Sequence, residues 1–157
     1  MEKITSELAG IKTAAIAGHV RPDGDCVGSC MGLYLYLKEN YPEIEADVYL
    51  EEVKEGFSFL NSIHEVKKEL DENKIYDVIF ILDTSVKDRV GVVGAALDTA
   101  KKTICIDHHV SNKGFADIDV ICPSASSASE LLYTLLEEKK VTKSCAEIGR
   151  ASCRERV

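Results

Sequence analysis

The chain has 157 residues, 45% hydrophobic and 29% charged, and its 19 Lys and Arg against 27 Asp and Glu give a net charge of -8. That length sets a prior of one domain around one sizeable core, and the acidic balance argues against a general phosphate-coating role on nucleic acid while leaving room for a local cationic or metal-bearing pocket. No apolar run has the length needed to cross a bilayer.

In chain order, residues 1–12 read as a short lead-in helix, with Ile4, Leu8 and Ile11 at helical spacing. A first strand is expected over Thr13–His19 and a helix over Asp25–Asn40, where Val27, Met31, Tyr34, Leu35 and Leu37 recur near the helical period and Pro42 follows the end. A second strand falls near Glu45–Leu50. The acidic stretch Glu51–Asn73 is helical in character, with Phe57, Leu60, Ile63, Val66 and Leu70 as its buried stripe. Strand three, Asp77–Leu82, is a continuous apolar run, as expected of a strand buried on both faces. A loop and short helix over Val90–Ala100 lead to strand four, Thr103–Ile106, and strand five lies near Ile118–Ile121. Ser127 and Glu130 then have capping-box spacing for a helix running to about Lys140.

Strands alternating with helices predict right-handed crossovers and an α/β fold: a three-layer, Rossmann-like parallel sheet of about five strands flanked by helices. The six cysteines, Cys26, Cys30, Cys105, Cys122, Cys145 and Cys153, have neither C-x-x-C pairing nor zinc-finger spacing. They read as small buried apolar residues of a protein in a reducing cytoplasm.

Three stretches concentrate imidazole and carboxylate at the predicted strand ends: His19-Val20-Arg21-Pro22-Asp23-Gly24-Asp25 after strand one, Asp83-Thr84-Ser85 after strand three and Asp107-His108-His109 after strand four. Ligands of open α/β sheets bind beyond the carboxyl ends of the strands. Pro22 and Gly24 force a tight strand-to-helix turn, in which Asp23 also reads as an ordinary helix N-cap. Crowding Asp23, Asp25, Asp83 and Asp107 in a partly dry cleft is unfavourable unless protons or cations compensate. A pair of divalent cations would do so, and imidazole and carboxylate donors without thiolate suit manganese or a similar first-row ion. Two such ions roughly 3.5 to 4 Å apart generate a hydroxide nucleophile and clamp phosphoryl oxygens, which makes phosphoester hydrolysis the natural reaction class. Nucleotide binding in a Rossmann-like crevice without metal is a weaker alternative, since no G-x-G-x-x-G follows strand one.

The same residues resemble the DHH phosphoesterases, and within them the NrnA-like branch of oligoribonucleases and 3'-phosphoadenosine 5'-phosphate (pAp) phosphatases. His19 to Ser29 is similar to the family's first motif, Leu82-Asp83-Thr84-Ser85 to its second, and Asp107-His108-His109-Val110-Ser111-Asn112 to the motif that gives the family its name. The resemblance implies two manganese ions, one held by His19, Asp23 and Asp83 and the other by Asp25, Asp83 and His108, with Asp83 bridging. It implies that Asp107 orients its neighbours, that His109 faces the scissile phosphate, and that Ser111 and Asn112 contact substrate. The implied partner is a small nucleotide or short single-stranded RNA, with a cyclic dinucleotide as the related alternative and no membrane. Gly24 favours this branch over the pyrophosphatases, which usually carry Thr there. Self-association, in its simplest form a homodimer, is left open.

The family's fourth motif and its smaller substrate-binding domain have no counterpart in the sequence. Residues 147–157 form an abrupt basic tail, unlike the acidic body. Residues 1–146 are therefore expected to be a C-terminally truncated DHH domain, 147–157 a non-native tail, and the chain itself a weakly active or inactive, metal-binding form of the enzyme.

Overall fold

Five short apolar runs become five strands of one parallel sheet in the computed structural model, which describes residues 3–142. They are β1 (Thr13–Ala17), β2 (Glu45–Tyr49), β3 (Val78–Leu82), β4 (Thr103–Asp107) and β5 (Ile118–Ile121), in the spatial order β2-β1-β3-β4-β5. Ile16 lies between Val48 and Phe80, and Phe80 continues the row to Ile104 and Ile118, so alternate side chains form one continuous apolar surface. The central strand β3 is buried along its whole length, as its unbroken run of apolar residues predicts.

Two helices, α1 (Gly24–Asn40) and α2 (Ala128–Leu135), pack with the Ile4–Leu8 turn on the face of Ile16 and Phe80. α1 is apolar nearly all round because it is enclosed: the sheet lies on one side, and Phe57, Leu60 and the leucines of α2 join the same cluster. Each fully buried leucine, such as Leu33 and Leu37, contributes on the order of 1.5–3 kcal/mol. The opposite face, carrying Ala15, Ile79 and Ile81, is covered by Val90, Val93, Ala96 and Leu97 from the β3-to-β4 connection. This second layer consists of a 3-10 segment, Val92–Ala96, and irregular chain. The α1 crossover and the β3-to-β4 connection thus leave on opposite faces, so the strand order reverses between β1 and β3. A crevice opens at that point, beyond the strands' carboxyl ends.

Three expected elements differ. Residues 51–73 hold two 3-10 turns, Glu55–Phe57 and Ile63–Glu65, in place of a helix. Ser62, at φ 60, takes the left-handed conformation that ends helices, and the Lys67 amide pairs with the Val48 carbonyl beside β2. β1 stops at Ala17, and the next residues pair with the other side of the crevice: Gly91 N–H donates to the Gly18 carbonyl and Val20 N–H to the Arg89 carbonyl. α2 ends at Leu135, where Lys3 Nζ donates to the carbonyls of Thr134 and Leu136. The expected tail at 147–157, with Cys145 and Cys153, lies outside the described residues. Cys26, Cys30 and Cys105 are buried free thiols, as expected, whereas the free thiol Cys122 is only partly buried. Among the described residues no helix is long and apolar enough to cross a membrane.

Candidate metal centre

Asp83 is the middle of the site. It follows β3 with φ 52, a left-handed conformation that Asp tolerates, and its side chain is only 2% exposed. Its Oδ2 lies 3.6 Å from His19 Nε2, and its Oδ1 lies 3.6 Å from His108 Nε2 and 3.6 Å from His109 Nδ1. Oδ1 is buried and accepts no hydrogen bond. Burial pushes the Asp83 carboxyl up to about 6; His19 opposes the shift, and the charges of Asp25 and Asp23 add to it.

Two imidazoles face this carboxylate with the same nitrogen. His19 Nδ1 lies 2.8 Å from the Val20 carbonyl and His108 Nδ1 lies 3.3 Å from the Ala125 carbonyl, so each Nδ1–H donates to backbone and each Nε2 is turned inward. This is the orientation that backbone carbonyls impose on metal-binding histidines. Asp23 and Asp83 hold the His19 imidazolium and raise its pKa to about 12, while His19 keeps the Asp23 carboxyl well below the usual carboxylate range. A proton on His19 therefore occupies the position between two carboxylates that a cation would take.

Asp23 does both jobs considered for it. Its Oδ1 accepts from the Asp25 and Cys26 amides at 3.1 and 3.0 Å, capping α1, and the same oxygen lies 3.6 Å from His19 Nε2. Asp25, on the first turn of α1, has Oδ2 at 3.5 Å from His108 Nε2. Among the described residues, the donor atoms that close within 4.8 Å of one another form two groups sharing Asp83: His19, Asp23 and Asp83, and Asp83, His108 and His109. In the second group, however, His109 Nδ1 is 2.6 Å from Asp107 Oδ1 and so is committed to that carboxylate, leaving Nε2 as the free nitrogen of a ring 43% exposed.

Asp107 itself is fully buried. Its other oxygen, Oδ2, accepts from Asn112 Nδ2 at 2.7 Å, and the same amide donates to the Thr84 carbonyl at 3.2 Å. Asn112 Oδ1 accepts from Gly114 N–H at 2.8 Å. Asn112 thus lies beneath the site, joining the segments that follow β3 and β4, whereas Ser111 is exposed at the surface. Residue types and spacing did not reveal Ser129, whose hydroxyl reaches Asp25 across the fold. Its only sequence signal is the serine-rich run before α2.

A family model described as the DHH family, N-terminal domain, matches residues 13–151. The chain belongs to the DHH family. It is 34% identical over 129 residues to the bifunctional oligoribonuclease and PAP phosphatase NrnA of Bacillus subtilis (strain 168), covering 82% of this chain and 39% of that protein. The NrnA of Thermus thermophilus is 30% identical over 122 residues, covering 78% of this chain and 36% of the relative. The chain therefore spans less than half the length of these relatives. Among solved structures, an exopolyphosphatase-related protein from Bacteroides fragilis superposes with a TM-score of 0.82 at 24% identity, over 94% of this chain and 47% of that one, which supports the fold alone. The α/β parallel sheet and the DHH family membership expected from the sequence both stand.

Proposed function

We propose that this DHH-family chain carries the metal-binding site of a manganese-dependent phosphoesterase whose substrates are short oligoribonucleotides or pAp. The observation that carries this reading is Asp83: a buried carboxylate with an undonated oxygen, set between two imidazoles whose Nε2 atoms are aimed at it. Oxygen and imidazole donors without thiolate fit manganese. His19, Asp23 and Asp83 would hold one ion, and Asp25, Asp83 and His108 the other. Bound there, the metals would lower the pKa of water and neutralise phosphoryl oxygens.

The remaining chemistry belongs to side chains. Asp107 fixes the His109 tautomer with the proton on Nδ1, so Nε2 faces outward and, when protonated, can deliver a proton to the leaving oxygen. Ser111, exposed at the surface, would contact substrate, while Asn112 would act from below through Asp107. Nucleotide substrates follow from what the NrnA relatives are named for.

Calorimetric titration of manganese into metal-free protein, with Asp83→Ala as control, tests this directly. Two sites lost together in the variant are expected; no binding to the wild type would end the assignment. Hydrolysis of pAp, a dinucleotide and a cyclic dinucleotide would then separate the substrate classes. The alternative outcome is a metal-binding chain without turnover. It predicts two manganese sites and no hydrolysis of any of the three.

A further inference from the structure

Asp25 reaches across the fold to the start of α2. Ala128 N–H donates to Asp25 Oδ2 at 2.7 Å, Ser129 N–H donates to Oδ1 at 3.0 Å, and the Ser129 hydroxyl donates to Oδ1 at 2.7 Å. The same hydroxyl lies 3.4 Å from the Asp25 carbonyl. Oδ1 therefore receives two donors from one residue, whereas Oδ2, bonded by the Ala128 amide, also lies 3.5 Å from His108 Nε2. That imidazole nitrogen also faces the undonated, buried Asp83 Oδ1, so Asp25 Oδ2 is the oxygen turned toward the unsatisfied part of the site.

We infer that Ser129 is a positioning residue for the second metal of the proposed pair: it pins Asp25 Oδ1 to the first turn of α2 so that Oδ2 alone is presented beside His108. This rests on the dinuclear reading above. A carboxylate held by the two backbone amides alone can rock about its Cβ–Cγ bond and shift the oxygen that faces His108. The buried hydroxyl, with Ser129 only 4% exposed, removes that freedom. Groups that orient metal ligands in this way typically change affinity by about 10- to 100-fold when removed. The positive end of the α2 dipole favours the carboxylate's charge at the same place. Metal loading and the seating of α2 are thereby coupled through one side chain.

The test is calorimetric manganese titration of the full chain as wild type, Ser129→Ala, Ser129→Thr and Ser127→Ala, with melting temperatures of the metal-free proteins measured in parallel. Ser127 caps α2 by accepting from Glu130 N–H at 3.0 Å, so its loss weakens the helix while leaving the Ser129 donors in place. The expected result is that Ser129→Ala keeps one site at wild-type affinity and weakens the other about 10- to 100-fold. Ser129→Thr, which keeps the hydroxyl, should recover affinity, and Ser127→Ala should lower the melting temperature with both affinities intact. Wild-type affinities in Ser129→Ala would overturn the inference and leave the dinuclear reading standing. Equal weakening in Ser127→Ala would also overturn it, by assigning the effect to helix stability. Absence of manganese binding to the wild type would overturn the reading beneath it as well.

Discussion

Replacing Asp83 by Asn should stabilise the metal-free protein and abolish its response to manganese. Asn keeps the side chain's shape and tolerates the left-handed backbone at φ 52. The Asp83 carboxyl is moved from its ordinary 3.8 to about 6, so its charged form costs about 3 kcal/mol more in the folded than in the unfolded chain. Because the folded value lies above the unfolded one, the stability linked to this proton is fully present below about pH 4 and is lost as pH rises through about 6. Metal-free Asp83→Asn escapes that loss. It should exceed the wild type by up to about 3 kcal/mol near pH 8, or roughly 10 °C in melting temperature for a domain of this size, and the difference should vanish near pH 4. Manganese at about 100 times its dissociation constant adds about 2.7 kcal/mol per site to the wild type and nothing to the variant, so with two sites the order reverses. Urea and thermal denaturation at both pH values, with chelator or with manganese, measure all four quantities. A metal-free variant less stable than the wild type near pH 8 would refute the view that this carboxylate is a charge awaiting a cation.

Manganese affinity should rise with pH, because binding must expel the proton that Asp23 and Asp83 keep on His19, and should fall more steeply below about 6 as Asp83 protonates. Titrations in buffers of different ionisation enthalpy count the released protons, and an affinity flat across this range would contradict the site. Gly18→Ala places a Cβ 2.1 Å from Cys26 Sγ and 3.3 Å from the Leu82 carbonyl oxygen. The expected cost is about 1–3 kcal/mol, partly recovered by Cys26→Ala in the same chain. A double-mutant cycle by urea denaturation checks this, and strict additivity would deny the contact. Asn112→Ala removes the amide that donates to buried Asp107 Oδ2 and should destabilise by about 1–3 kcal/mol. Asn112→Asp should cost more by placing a second carboxylate there, and an unchanged melting temperature in both would dismiss Asn112 as a strut.

Local chemistry made the strands legible. Val78 to Leu82 is apolar at every position because β3 is covered on both faces, and His19, Asp83 and Asp107 stand out because polar groups directly after such runs fall on one edge of the sheet. Residues 51–73 misled because a helical stripe and a series of short turns bury the same side chains: Phe57 and Leu60 reach the α1 cluster as expected, but through two 3-10 turns broken at Ser62. At the end of α2 the Thr134 and Leu136 carbonyls accept from Lys3, more than 130 residues away in sequence, and no local pattern encodes that contact. The place of Asn112 in its motif is visible in the sequence, whereas its burial under Asp107 is not.

The division between legible and hidden residues follows the energetics. Groups with costly charge must lie where the backbone can hold them, so they cluster in short motifs and show in the sequence. The groups that hold them are ordinary: a glycine that admits Cys26, carbonyls of Val20 and Ala125 that turn two imidazoles, a serine on α2 that fixes Asp25. Gly18 and Val20 are in turn held by the backbone of Gly91 and Arg89, so the β3-to-β4 connection sets the height of His19 above the sheet. A change at residues 89–91 of that connection, which lie outside the motifs, should therefore reach the metal centre through the main chain before it reaches it through any side chain.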